Sequence, residues 1–327
     1  MKSKSSNKNL QTAKTSKKDE FYTQLADIEK EVSHYKEHFK DKVVLCNCDD
    51  PRVSNFFTYF SYNFEALGLK KLITTCYKNQ DMDLFSQNDK EQAIYLEYEG
   101  DKNGDKVPNP EEIGIKHLKG DGDFRSKECI ELLKQADIVV TNPPFSLFRE
   151  YVEQLIEYDK KFIIIGNYNA ITYKDIFKLI KDNLIWLGYM HPENFIVPNN
   201  YEQREYRSWR DENGTNWRSL GNACWFTNLD ITKRHDDLIL HKKYTPNEYP
   251  TYDNYEAINV DKTSDIPKDY TGAMGVPITF LDKYNPEQFE ILGNLGSYAP
   301  DGYSLSSAIF INGQKIFKRI LIKHKKL

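Results

Sequence analysis

Ile138-Val139-Val140-Thr141-Asn142-Pro143-Pro144-Phe145 is the stretch that decides how this chain folds. Four β-branched residues in succession mark a strand buried on both faces, the kind that fills a parallel sheet. The two prolines that follow cannot donate to a ladder and stop it. Beyond them Leu147, Phe148, Tyr151, Val152, Leu155 and Ile156 fall at helical spacing. Asn142 to Phe145 therefore occupies a strand-to-helix turn at the carboxyl end of a strand, where open α/β sheets bind ligands. A carboxamide oxygen and a main-chain carbonyl can each accept a hydrogen bond from a planar exocyclic amine, while an aromatic ring stacks on the base carrying it. The bland alternative is a strand-ending turn whose prolines punctuate a helix start.

Working outward, Leu25, Ile28, Val32, Tyr35 and Phe39 predict a helix with one buried face. Val43-Val44-Leu45 is a first buried strand, the helix after it carries Val53, Phe56, Phe57, Phe60, Phe64 and Leu67, and Gly68 ends that helix. Leu72-Ile73-Thr74 gives a second strand, so strand, helix and strand form a βαβ unit and argue for a parallel sheet. Residues 77–120 are less regular: Ala93–Tyr98 alternates like an exposed-edge strand and Asp101-Lys102-Asn103-Gly104-Asp105 is a turn, together a hairpin-like insertion. A helix is expected near 126–135, a strand at Phe162-Ile163-Ile164-Ile165, and further strands at Leu184–Tyr189 and Ala223–Thr227. Tyr244 to Pro300, rich in Pro, Asn, Asp and Tyr, reads as a loop-rich second domain.

With 327 residues, the chain has room for one large α/β domain and a smaller appendage. Hydrophobic content of 39% and charged content of 29% fit a globular protein, no apolar run approaches membrane-spanning length, and the lysine-rich start lacks a signal-peptide core. Five cysteines without a paired framework fit reduced thiols, and the expected compartment is the cytoplasm. The formal charge of −4 is unevenly spread: Lys2, Lys4, Lys8, Lys14, Lys17 and Lys18 precede the first acid, and six Lys and Arg residues crowd the end. Residues 1–18 read as a disordered basic tail, either a solvated segment or an arm for phosphates.

The motif Asp137-Ile138-Val139-Val140-Thr141-Asn142-Pro143-Pro144-Phe145 resembles the catalytic motif of amino-methyltransferases acting on adenine or cytosine. Asp19-Glu20-Phe21-Tyr22-Thr23-Gln24, Cys46-Asn47-Cys48-Asp49-Asp50-Pro51-Arg52-Val53-Ser54-Asn55-Phe56 and Gly275-Val276-Pro277-Ile278-Thr279-Phe280 extend the likeness. Together they resemble the EcoRI-type adenine-specific DNA methyltransferases, from about residue 19 to about residue 300. The resemblance implies an α/β fold: a Rossmann-like S-adenosylmethionine-dependent methyltransferase sheet with helices on both faces. A catalytic domain over 19–230 would precede a smaller, loop-rich target-recognition region over 231–327. The implied enzyme is a site-specific adenine methyltransferase of a restriction-modification system. Double-stranded DNA is its partner, S-adenosylmethionine its donor, no metal is required, and it works as a monomer whose cognate endonuclease shares the site without stable binding.

Methyl transfer to such an amine needs geometry more than covalent catalysis, because the lone pair is delocalised into the base. The Asn142 side-chain oxygen and the Pro143 carbonyl would hold the two amine hydrogens, with Pro144 shaping the turn and Phe145 stacking on a base flipped out of the duplex. The first strand here does not run into a Gly-x-Gly loop but into Cys46-Asn47-Cys48-Asp49-Asp50-Pro51. Asp49, or else Asp50, would hold the donor's ammonium beside Asn47 and Cys48, and the helix start at Ser54 and Asn55 suits its carboxylate. An N-capping acid cluster is the other reading. Asp123 and Phe124, within Gly120-Asp121-Gly122-Asp123-Phe124, resemble the family's acidic-aromatic pair that receives the donor's adenine; a Gly-Asp turn entering a helix is the alternative. Phe21, Tyr22 and Thr23 resemble the segment that closes over the donor's methionine part, or else form a helix-entry cap. The second strand ends Thr75-Cys76-Tyr77, without the acid that usually binds a ribose. Cys46 and Cys48 alternate faces on a strand and have no companion ligands, which disfavours zinc.

Between Asn199 and Asn222, Arg204, Arg207, Trp209, Arg210 and Arg218 interleave with tyrosines and Trp217, without a period that demands a core role. Arginines can meet phosphates or guanine edges, and an indole can wedge into a base stack. A surface loop with salt bridges to Glu202, Glu205, Asp211 and Glu212 is the competing reading. Cytosine-N4 methylation, RNA adenine methylation, and a DNA-binding module with a defunct donor pocket are the alternatives the sequence leaves open.

Overall fold

The structure, a computed structural model, describes residues 21–48, 54–76, 93–101, 108, 113–197, 206–295 and 309–326. The basic tail, Asp49 and Arg204 lie outside them. Among the described residues, those within Met1–Tyr168 and Met190–Leu229 form one compact unit, and those within Asn169–Tyr189 and Asp230–Leu327 form another.

The first unit opens with α1 (Leu25–Val32), which tightens into a 3₁₀ turn over Ser33–His38 instead of running on as α-helix to Phe39. Ser33 Oγ donates back to the Lys30 carbonyl at 2.8 Å, a local bond that competes with the α ladder at that point. Then come β1 (Val43–Asn47), α2 (Asn55–Tyr62) and β2 (Lys71–Thr75). Ser54 caps α2, its hydroxyl oxygen accepting the main-chain N–H groups of Phe56 and Phe57. β3 (Ile94–Tyr98), β4 (Lys116–His117), α3 (Lys127–Gln135), β5 (Ile138–Thr141), α4 (Phe148–Glu157) and β6 (Lys161–Asn167) follow. After α5 (Lys174–Lys181) and β7 (Trp186–Leu187), which go with the second unit, the chain returns as β8 (Asn194–Ile196), β9 (Ser208–Arg210), β10 (Asn216–Ser219) and β11 (Ala223–Thr227).

The main sheet of this unit runs in the order β4-β3-β2-β1-β5-β6-β11. β2, β1, β5 and β6 are parallel, and β11 and β3 are antiparallel to their inner neighbours. Because β4 pairs with the outer side of β3, the Ile94–Tyr98 strand is not the edge its alternation suggested. The central strands are buried at every residue, which is why they are written almost wholly in Val, Ile and Leu. From β1 the chain crosses to β2 on one side, and from β5 it crosses to β6 on the other. Right-handed crossovers in opposite directions set α2 and α4 on opposite faces. The order reverses between β1 and β5, and the crevice at their carboxyl ends is the topological switch point of the sheet.

A smaller sheet, β8-β10-β9, is antiparallel throughout and carries most of the Arg-Trp stretch. Strands of three or four residues are too brief to show a period, and the sequence read as loop. Tyr22 adds a further rung, its N–H donating to the Ile196 carbonyl at 2.9 Å and its carbonyl accepting from Ile196 N–H at 3.2 Å.

In the second unit β12 (Ile258–Asn259), β13 (Met274–Val276), β14 (Phe289–Leu295) and β17 (Arg319–His324) make a sheet in the order β12-β13-β17-β14, accompanied by the hairpin β15 (Ile309–Ile311) and β16 (Gln314–Ile316). The region is more regular than its loop-rich composition suggested. Gly275 is required here: a Cβ at that position would lie 2.1 Å from the Tyr252 hydroxyl, which donates to the Gly275 carbonyl and to Asn259 Oδ1. Among the described residues no helix is long and apolar enough to cross a membrane, and no group of three or more His, Cys, Asp or Glu residues could hold a metal ion.

Candidate active site

β5 delivers Asn142 to the switch point, where the residue is 8% exposed. Its Nδ2 donates to the Phe21 carbonyl at 2.6 Å and to Thr23 Oγ1 at 3.3 Å. A carboxamide has two N–H donors and one carbonyl oxygen. Both donors are engaged within the protein, so the group remaining for a ligand is the acceptor Oδ1. Turning the amide over would set Oδ1 against the Phe21 carbonyl, two acceptors face to face, so the surroundings fix its sense.

Phe145 opens a short 3₁₀ turn ahead of α4 and is half-buried. The Phe21 ring lies 5.7 Å from it at 41°, and Phe195 of β8 meets Phe21 edge-on at 5.8 Å. Three rings thus back the turn, an apolar wall beside a polar acceptor. The sequence placed Phe21 and Thr23 in the donor pocket; the structure brings them directly onto Asn142. Tyr22 sits on the Ile196 bridge, and Phe195 was not singled out because a lone Phe in a short strand carries no signal.

On the β1 side, Asn47 is held twice: Thr141 Oγ1 donates to its carbonyl and the Tyr151 hydroxyl donates to its Oδ1. Tyr151 comes from α4 and is fully buried, and that burial pushes its phenol well above its ordinary pKa, with the nearby Cys48 thiol acting in the same direction. The sequence showed it only as an apolar helix position. Cys48 follows with φ of 90°, a left-handed conformation unusual for a residue with a side chain, and its N–H donates to the Thr75 carbonyl at 3.1 Å. The strained conformation falls directly after β1, where the sequence has no glycine loop, and the next described residue is Ser54, the cap of α2.

Across the sheet, Asp123 is tied to Arg125. Asp123 Oδ1 accepts from Arg125 N–H and Nε, both at 2.9 Å, and Oδ2 accepts from a terminal guanidinium nitrogen at 2.7 Å. Arg125 also reaches Glu150 at 2.9 Å. Burial would push the Asp123 carboxyl up, but the Arg125 hydrogen bonds outweigh it and hold the group below the usual carboxylate range. A carboxylate offers about four lone-pair positions, so one on Oδ2 is still open to a further donor. Phe124 is buried, its ring edge-on to Tyr151 at 5.0 Å and beneath the Arg125 guanidinium at 5.2 Å. Gly122, at φ of 77°, lets this loop approach the end of β2 so closely that a Cβ would meet the Cys76 carbonyl oxygen at 2.0 Å.

The β9–β10 pair presents Trp209 and Trp217 stacked with centroids 6.0 Å apart and planes 5° from parallel, and Trp209 is 41% exposed. Arg207 is exposed, its guanidinium 5.2 Å from the Tyr206 ring. Arg210 Nε donates to the Gly214 carbonyl, and Arg218 donates to the Tyr206 carbonyl and to Ser208 Oγ. Asp211 is not an arginine partner: it accepts from Trp217 Nε1 at 2.9 Å and from the N–H groups of Asn213 and Thr215. Arg210 and Arg218 are thus held by carbonyls and a hydroxyl, and among the described residues no carboxylate pairs with them.

Comparison with known proteins agrees across the chain. The family described as "Adenine-specific methyltransferase EcoRI" matches residues 9–325. Type II methyltransferase M.EcoRI of Escherichia coli is 56% identical over 327 residues, covering 98% of each chain. Two Mycoplasma proteins, type II methyltransferases M.MgeORF184P of Mycoplasma genitalium and M.MpnI of Mycoplasma pneumoniae, are each 37% identical; 96% of this chain is covered in both, with 98% and 97% of theirs. No solved structure matches.

Proposed function

The chain belongs to the EcoRI family of adenine-specific methyltransferases, and from that premise we propose that the crevice between β1 and β5 transfers a methyl group from S-adenosylmethionine to the N6 amine of an adenine flipped out of double-stranded DNA. The observation that carries this is the state of Asn142: with both amide hydrogens held by Phe21 and Thr23, it offers an oxygen to whatever enters. An exocyclic amine is the complement of that oxygen.

In this reading Asn142 Oδ1 and the Pro143 carbonyl accept the two amine hydrogens and draw the nitrogen toward tetrahedral geometry, so that its lone pair points at the donor. Pro144 keeps the turn from continuing as strand, and Phe145, backed by Phe21, stacks on the base. S-adenosylmethionine, when bound, supplies the electrophilic methyl group. The described residues fit it: Asp123 keeps an acceptor position for an adenine amine with the Phe124 ring next to it in the chain, and Asn47, Cys48 and the capped start of α2 suit the zwitterionic end, where Asp49, outside the described residues, would hold the ammonium. Phe21, Tyr22 and Thr23 close that end. Arg204, Arg207, Trp209, Arg210 and Arg218 engage the duplex.

Acting as a monomer in the cytoplasm, and with no metal, the enzyme protects its sites from a cognate endonuclease that reads the same sequence without stable association. The test is to methylate DNA from a methylation-free host with the purified protein and digest the product to nucleosides. N6-methyldeoxyadenosine supports the proposal. N4-methyldeoxycytidine, or methylation of RNA alone, overturns it.

A further inference from the structure

Asn142 is oriented from outside its own turn. Its two amide hydrogens go to Phe21 and Thr23, residues 121 and 119 positions earlier in the chain. Phe21 contributes a main-chain carbonyl, which no substitution of its side chain removes. Thr23 contributes a hydroxyl, is 2% exposed, and has its own carbonyl held by Asn55 Nδ2 at 2.7 Å from the start of α2. Between the two, Tyr22 is bonded in both directions to Ile196 of β8. The segment is thus pinned on one side by a helix and on the other by a sheet, and it presents one fixed and one replaceable acceptor to the amide.

We propose that Thr23 is a positioning residue for methyl transfer: its hydroxyl takes the second Asn142 hydrogen and keeps Oδ1 facing the target amine. This assigns Thr23 to orienting the amide, beyond closing over the donor, and it rests on the reading of Asn142 as the acceptor of that amine. Without the hydroxyl, one buried amide hydrogen loses its acceptor, and the amide can twist about its side-chain bond while still held by the Phe21 carbonyl. The loss falls on the aim of Oδ1, hence on the chemical step, and so persists when donor and DNA are both saturating.

Thr23→Val removes the hydroxyl at nearly constant volume, and Thr23→Ser restores it. Single-turnover methylation from a preformed complex of full-length protein, S-adenosylmethionine and duplex DNA should slow about tenfold in Thr23→Val and recover to within about threefold of wild type in Thr23→Ser. The DNA dissociation constant, measured by fluorescence anisotropy, should stay within about twofold, and the slower rate should persist when the donor, whose affinity is measured by calorimetry, is saturating. If Thr23→Val folds poorly, Thr23→Ala, which makes no new steric demand, is read the same way. A wild-type single-turnover rate in the hydroxyl-less variants, or a rate loss that saturating donor repairs, overturns the proposal. Asn142→Ala measured alongside separates the two levels: if it also retains activity, the reading of Asn142 fails first, whereas an inactive Asn142→Ala beside a fully active Thr23→Val sinks the positioning role alone.

Discussion

The turn after β5 and the β9–β10 pair belong to one compact unit and are built on opposite terms. Around Asn142 the amide hydrogens are buried and committed to fixed partners, leaving one aimed acceptor, and aromatic rings wall the turn. In the β9–β10 pair Trp209 is 41% exposed, and Arg210 and Arg218 lean on neutral main-chain carbonyls that do not cancel their charge. The difference follows from the tasks proposed for them. Aiming a lone pair needs an acceptor that is already in place, because reorganisation would add to the barrier. Engaging a duplex needs charge and a stacking surface that remain available until the partner arrives.

The sharpest way to break this contrast is to truncate the buried side. Asn142→Ala should lower the single-turnover rate about a hundred- to thousandfold, roughly 3–4 kcal/mol of transition-state stabilisation, with donor and DNA binding nearly unchanged. A variant within a few-fold of wild type would show that the crevice does not do the chemistry.

On the exposed side the effect should be smaller and fall on binding. Trp209→Ala should weaken duplex affinity by about 1–3 kcal/mol if the indole stacks on bases, and a fluorescent base analogue at the target should report reduced flipping. Arg207→Ala should weaken binding to all sequences alike and flatten the salt dependence by about one unit. Unchanged binding in both variants would make this sheet face a structural surface, and the contrast would lose its second half.

The smallest effect lies with Asp123, which shares features of both regions, being buried yet charged. Its folded pKa is below its unfolded one, so folding releases a proton from this group in the window between them. The stabilisation from its pair with Arg125 is full above the ordinary carboxylate range and fades as pH falls through the lowered value. Comparing thermal denaturation of wild type and Asp123→Asn from pH 7 downward should show a gap that closes in acid. A gap independent of pH would mean that the pair contributes packing and not charge.

The sheet was legible because β1, β5 and β6 are buried on both faces and can be written only in a narrow alphabet, bounded by Pro143, Pro144 and Gly68. β14 was not: a register irregularity between Ile291 and Gly293 and a buried Asn294 spoil its alternation. β9 and β10 are shorter than the period that would reveal them. Within the site, residues that advertise chemistry by type, Asn142 and Asp123, were visible. Those that support them were not, because Tyr151 looks like any apolar helix position and Arg125 like any surface charge until Asp123 and Glu150 are seen beside it.

The long reach from Phe21 and Thr23 to Asn142 also sets an order of events as the chain folds. The first described residues emerge early in synthesis, yet their partners are Asn142 and, later still, Ile196. Closing so long a loop carries an entropic cost that local helices and the β1–α2–β2 unit do not face. In refolding from denaturant, the helical signal should therefore return before methylation activity does, with the delay measurable by stopping aliquots into a single-turnover assay. Simultaneous recovery would place the 21–23 segment in the folding nucleus instead. The catalytic amide would then acquire its orientation as the sheet forms, with no interval in which the fold is built and the aim is not.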